Sequence, residues 1–504
     1  MATISRRLFS GAALRVSRQV ITILVALFVM PFVVHSLGDR MYGLWALLAT
    51  FLGYYGLLDL GFDSAVQRHV AGAIGRDDML ESNRIISTAF VLLCVLGLLV
   101  LVITASGATM APMFFQDPQE VVLFQQVLVL LGINVAVGFP LKVFGAVLAS
   151  QLRFDIITTV GTITFLLRTA LVVLVLKLGY NLLAMVCVTV LAGILDKILT
   201  VYFARKNLRS LKLNLKLTSL DTARTLFSYS FFTFIFRVAN TFRFKIDGIV
   251  IASFITLAAV THYRVAGIII THYLSFIAAC MGVLMPAFSQ MYEADDRDRM
   301  KKLFYFSTKI SVYLSSFITF GLILWGKPFI HRWMGEQYLD AYPCLVALAI
   351  GCMFVKWQAP SVNLLLGTSK HKFLAISNAI EGIAILALSI ILIRYFGIFG
   401  VALGTLVPMT LMKLIFQPIY VCRLCDLDYW DYIRRLGRSL LGVGMGITLP
   451  LLISVRFAAP NYGILFVLGT ASLCFYGAVA WFWEFNPSEK KMLLQAIMPR
   501  VATK

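Results

Sequence analysis

The stretch that decides the fold is Ile85–Ile103, IISTAFVLLCVLGLLVLVI, which carries no charged residue. About 20 mostly apolar residues are needed to cross the roughly 30 Å hydrocarbon core of a bilayer. In that core the backbone must satisfy its own hydrogen bonds, so a crossing segment is a helix or a strand of a closed barrel. This stretch therefore predicts a membrane-spanning segment, near residues 84–106.

Thirteen further stretches of the chain have similar length and apolar character. With 60% hydrophobic and 13% charged residues, the composition favours helices, because strands of a membrane barrel alternate polar and apolar residues. We predict an all-α polytopic membrane protein with about 14 transmembrane helices. The spans are expected near residues 14–36, 42–66, 84–106, 121–150, 155–176, 180–203, 226–253, 258–285, 304–325, 342–366, 373–393, 397–421, 439–455 and 463–484.

Positive charge is distributed unevenly over the loops between these spans. The loops on one side hold only 6 of the 44 Lys and Arg residues, and the loops and termini on the other side hold at least four times as many. Cytoplasmic loops carry such an excess. We therefore predict a multi-pass inner-membrane protein with both termini in the cytoplasm. Its net charge of +20 is explained by basic loops beside anionic lipid headgroups, and no nucleic-acid partner is expected.

A faint duplication links the two halves of the chain at one nearly constant offset. Three pairs of residues carry it: Tyr42 with Tyr263, Pro140 with Pro360, and Phe154 with Phe373. The repeated unit contains six spans. Because an even number of spans returns the chain to the same side, the two copies are expected to be parallel, as in many secondary transporters.

The duplication predicts two parallel six-helix lobes and a helix pair that stands outside the repeat. The expected divisions are 1–220 for the N-terminal lobe, 221–436 for the C-terminal lobe, 437–484 for the extra transmembrane pair and 485–504 for a cytoplasmic tail.

The seventh span is the one richest in polar residues. At about 100° per residue, a helix would bring Asn240, Arg243 and Asp247 to one face, with Arg237 at its edge and Lys245 on the opposite side. Charged residues within a span usually face a cavity or a partner. This face is expected to line an aqueous interior that binds an anionic ligand. The alternative is that Arg243 and Asp247, at i and i+4, only neutralise each other.

Three carboxylates are candidates for coupling transport to an ion. Asp247 lies in span seven and Glu381 early in span eleven, where its own helix offers no close cation; Asp63 lies near the cytoplasmic end of span two. A carboxyl in a low-dielectric cavity can titrate near working pH. For Glu381, a structural, hydrogen-bonded carboxyl is an equal alternative.

The sequence contains no set of residues typical of an enzyme. There is no glycine-rich phosphate-binding loop followed by Lys and Ser or Thr. The only close cysteine pair, Cys422 and Cys425, lacks the two further ligands that a zinc site requires. We expect no catalytic residue, no cofactor and no bound metal.

Two segments carry a resemblance to a known family. They are Leu37–Trp45, LGDRMYGLW, and Tyr54–Phe62, YYGLLDLGF; a second match follows in Asp247–Ala252, DGIVIA. These segments resemble the signature of the bacterial polysaccharide transporters, the Wzx-type O-antigen and exopolysaccharide flippases. That family belongs to the multidrug/oligosaccharidyl-lipid/polysaccharide exporter superfamily. The chain departs from the common twelve-span pattern by its extra C-terminal pair.

The resemblance implies a substrate, a cavity and partners. The substrate would be a polyprenyl-diphosphate-linked oligosaccharide, flipped from the cytoplasmic to the periplasmic leaflet for O-antigen, exopolysaccharide or capsule biosynthesis. The implied cavity is cationic and lined by spans one, two, seven and eight, onto which Arg18, Arg237, Arg243 and Arg264 fall. A polysaccharide polymerase and chain-length proteins are the implied protein partners.

Two other functions remain open. The lipid II flippases also have fourteen spans, which favours a peptidoglycan-precursor flippase. An ion-coupled multidrug exporter of the same superfamily is the second alternative, although such a protein would line its cavity with carboxylates and aromatic residues rather than arginines.

Overall fold

A computed structural model describes residues 2–490 except 60, 114–116, 209–211, 283, 369–371, 457–461 and 488. The side chains of 2–16, 64, 75, 113, 229–245, 286, 372, 454–456 and 465 also lie outside the description. The described residues form helices and no strands. The all-α polytopic class predicted from the sequence is thus confirmed.

The chain divides into two compact units, one up to Thr261 and one from His262. The first unit contains α1 (Ala2–Leu37), α2 (Asp39–Tyr55), α3 (Phe62–Gly75), α4 (Met79–Thr109), α5 (Pro118–Ser150), α6 (Phe154–Lys177), α7 (Leu182–Asn207), α8 (Leu220–Phe254) and the start of α9 (Leu257–Met281). Short 3₁₀ turns occur at Gly56–Asp59, Ala111–Met113 and Leu215–Leu217.

The second unit contains the rest of α9 and eight further helices among its described residues. They are α10 (Leu284–Glu293), α11 (Arg297–Trp333), α12 (Ala341–Trp357), α13 (Ala359–Gly367), α14 (Lys372–Leu411), α15 (Gln417–Leu424), α16 (Tyr429–Arg456) and α17 (Tyr462–Val479). A 3₁₀ turn occupies Glu336–Tyr338, and π-helical turns occupy Met412–Phe416 and Ala480–Glu484.

Eleven segments of the described chain are long and apolar enough to cross a membrane, or twelve if the bent pair α12 and α13 is one span. One of them, Phe373–Leu424, has 52 residues and would extend about 78 Å as a single helix. It breaks at Gly397, whose φ of 56° and ψ of −138° are not helical. Since about 30 Å suffices for one crossing, this segment makes two.

Helix α8 is not among those eleven segments. It is 35 residues long, so its length allows a crossing, but the charged residues between 237 and 247 lower its apolar character. The fourteen crossings that the sequence predicts would require α8, both halves of α14 and the bent pair to cross as well.

The second span differs from its expected course. Instead of continuing to residue 66, α2 ends at Tyr55 and a separate helix, α3, follows after a turn. The Asp59 carboxylate stabilises that turn, because it accepts a hydrogen bond of 2.8 Å from the Gly61 amide and forms an ion pair of 2.9 Å with Lys142 of α5. Local capping of this kind is not visible in hydropathy.

Helices recur in the second half of the chain in the order seen in the first. The starts of α2, α3, α4, α5 and α6 at 39, 62, 79, 118 and 154 correspond to those of α9, α10, α11, α12 and α14 at 257, 284, 297, 341 and 372. The offset between corresponding starts is nearly constant. Short helices α3 and α10 therefore hold equivalent places in the two halves, each after the second span of its set.

The C-terminal helices pack against α11 within the second unit. Lys309 of α11 lies 3.1 Å from Glu489 and 3.8 Å from Glu484, and the Ser439 hydroxyl of α16 donates to Glu484 at 3.0 Å. Glu484 is almost completely buried, with an exposure of 2%. The extra pair is thus joined to the second unit by a buried polar cluster as well as by apolar contacts.

Candidate functional site

Helices α2 and α8 and the first turn of α9 meet closely inside the first unit. A Cβ atom placed on Gly43 of α2 would lie 1.8 Å from the Leu257 carbonyl oxygen, and one on Gly248 of α8 would lie 3.4 Å from the Thr50 hydroxyl. The Thr261 hydroxyl donates to the Asp39 carbonyl at 2.6 Å. Small residues allow the helix backbones to approach, as in many membrane helix pairs.

Next to this contact lies a cavity of about 820 Å³. That volume is within the range of small-molecule sites, which are mostly apolar with a few polar groups. The cavity is formed by α2, the last turns of α4, the first half of α5, the end of α8 and the start of α9. Its lining residues are Arg40, Leu47, Phe51, Tyr55, Ile103, Gly107, Met110, Asp117, Glu120, Phe124, Leu128, Ile249, Ala252, Ser253, Ile255, Thr256, Leu257 and Ala258.

Aromatic side chains form one wall of the cavity. The rings of Phe51 and Phe124 are 6.3 Å apart at an interplanar angle of 79°, an edge-to-face arrangement that holds both rings in place. Tyr55 is buried, and its hydroxyl lies 3.0 Å from the Thr104 hydroxyl. This wall offers a fixed apolar surface with one hydroxyl pair beside it.

Charged side chains lie at one end of the cavity. Arg40 Nε forms an ion pair with Glu120 Oε1; the Arg40 side chain is 61% exposed and that of Glu120 is 8% exposed. Asp117 caps α5, since its carboxylate accepts from the Gln119 amide at 2.9 Å. One guanidinium against two carboxylates gives this end a net negative charge, so the cavity suits hydroxyl groups and not a diphosphate.

The predicted cationic face of span seven belongs to α8. The backbone of α8 is one continuous helix from Leu220 to Phe254, but the side chains of Arg237, Asn240 and Arg243 lie outside the described residues, as does that of Lys245. Asp247 is described: it is 8% exposed and interacts electrostatically with Tyr54 of α2. The structure thus brings Asp247 to the α2 side of α8.

The remaining predicted site residues lie on three different helices. Arg18 is half-buried on α1, and its Nη1 would stand 2.8 Å from a Cβ on Gly161 of α6. Asp63 is half-buried in the first turn of α3, and Arg264 is exposed on the part of α9 in the second unit.

Glu381 proves to have a cationic neighbour on a different part of the chain. It is 0% exposed on the first half of α14, and its Oε2 lies 3.6 Å from Lys413 Nζ, which follows the second half. The absence of a cation on its own helix is therefore compensated by the following helix.

Two ion pairs at buried carboxylates, those of Glu120 and Glu381, have little signal in the sequence. Glu120 follows Asp117 and Pro118 at a helix start, where an acidic residue is ordinarily explained by the helix dipole, and its partner Arg40 lies far earlier in the chain. Arg40 and Glu120 each lie in the first turn of a helix. In the predicted topology these two helices start on the same side of the membrane, and this shared position is the signal that could pair the two residues. Lys413 is a lone lysine in span twelve, and hydropathy alone does not pair it with Glu381.

A family model described as polysaccharide biosynthesis protein matches residues 37–343. The Bacillus subtilis (strain 168) protein named "Uncharacterized membrane protein EpsK" is 21% identical over 490 residues, which are 94% of this chain and 95% of that protein. A Shigella flexneri protein named "Putative O-antigen transporter" is 21% identical over 412 residues, 80% of this chain and 95% of its own length.

A solved structure of the lipid II flippase MurJ, in an inward closed conformation, has the same fold. Its TM-score is 0.70 at 14% sequence identity, and the match covers 95% of this chain and 99% of that one.

Proposed function

Because the chain belongs to the polysaccharide biosynthesis protein family, as a Wzx-type polysaccharide transporter of the multidrug/oligosaccharidyl-lipid/polysaccharide exporter superfamily, we propose that it flips a polyprenyl-diphosphate-linked oligosaccharide across the bacterial inner membrane. The proposed mechanism is alternating access, and the product serves O-antigen, exopolysaccharide or capsule biosynthesis. The observation that carries the proposal is the family match over residues 37–343. The name of the Shigella flexneri relative supports the same substrate class.

In this proposal different residues bind different parts of the substrate. The predicted face of α8, with Arg237, Asn240 and Arg243, holds the diphosphate, because guanidinium groups present paired donors that match phosphate oxygens. Arg18 of the first unit and Arg264 of the second are the further arginines that the family resemblance implies. The polyprenyl chain stays in the bilayer while the headgroup crosses.

The cavity of the first unit has a separate role in the proposal: it accommodates a sugar of the headgroup. The Phe51 and Phe124 rings offer a surface for the apolar face of a sugar ring, and the Arg40 and Glu120 side chains at the end of the cavity offer a donor and an acceptor for hydroxyl groups. A cavity of about 820 Å³ has room for a few sugar units and excludes a long glycan. The net negative charge near Glu120 and Asp117 keeps the diphosphate out of it.

The energy source is proposed to be an ion gradient acting on buried carboxylates. Asp247, Glu381 and Asp63 are the three candidates from the sequence. Asp247 fits best because it is 8% exposed at the contact between α8 and α2, whereas Glu381 has a counter-charge in Lys413 at 3.6 Å. Protonation there would change the charge of a helix contact and so favour one conformation over another.

The expected cellular setting follows from the same proposal. Both termini face the cytoplasm, and polysaccharide polymerase and chain-length proteins receive the flipped product. The Shigella flexneri relative is named a putative O-antigen transporter, and the proposal includes no catalytic step.

A lipid II flippase is the second candidate, favoured by the fourteen crossings. The two substrates share a polyprenyl diphosphate, so both would use the same arginines and they differ in the sugar and peptide part. An ion-coupled multidrug exporter is a third alternative; it would depend on the carboxylates and not on the arginines.

The experiment that tests the proposal is a deletion in the source bacterium with analysis of lipid-linked glycans. A surface glycan should be lost while its lipid-linked unit accumulates in the inner leaflet, and a plasmid copy of the gene should restore export. Accumulation of lipid II with loss of viability would favour the second candidate instead. Unchanged glycans together with greater sensitivity to cationic drugs would favour the exporter.

A further inference from the structure

The two halves of α14 form a tight antiparallel hairpin inside the second unit. After the break at Gly397, Gly400 and Gly404 pack directly on the first half: a Cβ on Gly400 would lie 2.2 Å from the Leu392 carbonyl oxygen, and one on Gly404 would lie 2.6 Å from the Ser389 hydroxyl. Glycines spaced by one helical turn allow such close packing in membranes. The relative position of side chains along this hairpin is therefore fixed.

Glu381 and Lys413 stand equally far along the chain from the turn of this hairpin. Glu381 precedes Gly397 by as many positions as Lys413 follows it, so the two side chains lie at the same depth. Both are buried within the apolar segment Phe373–Leu424, at 0% and 2% exposure. A charge at such a depth is costly unless an opposite charge or several dipoles stabilise it.

Three side-chain oxygens surround the Lys413 ammonium. Glu381 Oε2 is at 3.6 Å, Asn378 Oδ1 at 3.5 Å and Gln417 Oε1 at 2.8 Å from Nζ. Asn378 and Gln417 are themselves 4% and 1% exposed. One carboxylate and two amide oxygens around a single positive charge are the oxygen ligands that hard cations prefer in proteins.

The backbone at Lys413 departs from a regular α-helix. Residues Met412–Phe416 form a π-helical turn, which ends directly before Gln417. π-helical turns are rare and occur frequently at functional sites. Here the turn brings Lys413 and Gln417 to the same side, facing Asn378 and Glu381.

We propose that Lys413 is a tethered cation: its ammonium occupies a monovalent-cation site built by Glu381, Asn378 and Gln417. The Glu381 carboxylate is then neutralised by the chain itself and requires neither a proton nor a dissolved metal ion. Truncation of the lysine opens the site to Na⁺. This inference concerns the second unit alone and does not depend on which lipid the protein moves.

The test measures the melting temperature of the purified full-length protein in NaCl, KCl and choline chloride at equal ionic strength. The wild type should melt at the same temperature in all three salts. Lys413→Ala should melt about 2 to 3 °C higher in 100 mM NaCl than in choline chloride, as expected for millimolar binding to the folded state of a protein of this size. Lys413→Ser, which adds a hydroxyl oxygen, is the second variant, with the same expected result.

Two matched variants identify the site. Lys413→Met fills the space without supplying a charge or an oxygen, and Lys413→Ala combined with Glu381→Gln removes the carboxylate; neither should respond to sodium. A sodium response in these two variants, or none in Lys413→Ala and Lys413→Ser, would overturn the proposal. So would a sodium response of the wild type that Glu381→Gln abolishes. Binding of ²²Na⁺ gives a second measurement. Lys413→Ala should bind more ²²Na⁺ than the wild type.

Discussion

Gly43 of α2 lies so close to α9 that a Cβ atom on it would stand 1.8 Å from the carbonyl oxygen of Leu257. A backbone oxygen cannot rotate away as a side chain can, so Gly43→Ala must separate the two helices. Overpacking of this kind typically costs about 1 to 3 kcal/mol. We expect a lower melting temperature and reduced glycan export, because the displaced helices also line the cavity.

Gly56 offers the matched control for this substitution. Its φ is −61°, and nothing lies within 4 Å of a Cβ placed on it. Gly56→Ala should leave the melting temperature unchanged or raise it slightly, since alanine restricts the unfolded chain. Equal destabilisation by both substitutions would show that the Gly43 contact is not special.

The second prediction concerns the ion pair between Arg40 and Glu120. Arg40→Ala leaves a carboxylate of 8% exposure without its counter-charge, which should cost about 1 to 3 kcal/mol. Arg40→Ala combined with Glu120→Gln removes the uncompensated charge, so the double variant should be more stable than the single one. Melting temperatures of the wild type, both single variants and the double variant complete the cycle. Simple addition of the two single effects would mean that the pair makes no net contribution.

Hydropathy and charge were sufficient to predict the helical class, because each span is a local apolar run. They were insufficient for the course of the second span. Its end at Tyr55 depends on Asp59 and on Lys142, a residue of another helix. A partner that distant in sequence has no local signal.

Ion pairs also differ in whether the sequence can predict them. Glu381 and Lys413 could have been paired from the sequence, because they lie equally far on either side of a hairpin glycine, Gly397. Arg40 and Glu120 could not be paired by such symmetry, since their contact depends on how α2 and α5 pack. The cavity is harder still to predict from the sequence, because it is formed by five helices and no single stretch of sequence specifies their arrangement.

The third prediction is the topology, which follows from the excess of Lys and Arg on alternate loops. Reporter fusions after Lys206, Arg435 and Lys504 should read as cytoplasmic, and fusions near Gln116 and Gly335 as periplasmic. A periplasmic C-terminus would contradict an even number of crossings.

The fourth prediction separates the carboxylates by their dependence on pH. If Asp247 takes up and releases the coupling proton, Asp247→Asn should flatten the pH dependence of flipping in vesicles. Glu381 should behave differently if Lys413 neutralises it: Glu381→Gln should lower the rate at every pH and leave the midpoint in place. Asp63→Asn serves as the comparison for a half-buried carboxylate. An unchanged profile for Asp247→Asn would remove this residue from the coupling role.

The last prediction is that Arg237 and Arg243 hold the diphosphate during the crossing. In the sequence, the spacing of about 100° per residue predicts Arg243 on one face with Asp247 and Arg237 at the edge of that face. Loss of a hydrogen bond to a charged group costs about 1.5 to 3 kcal/mol, so either change to Ala should weaken binding by roughly ten- to a hundredfold. Replacement by Lys should rescue only in part, since a point charge lacks the paired donors of a guanidinium. Lys245→Ala, on the opposite side, is the control and should be nearly silent. The measurement is complementation of glycan export at matched membrane abundance. If the Lys245 variant fails while both Arg variants export normally, the assignment of the two faces is reversed.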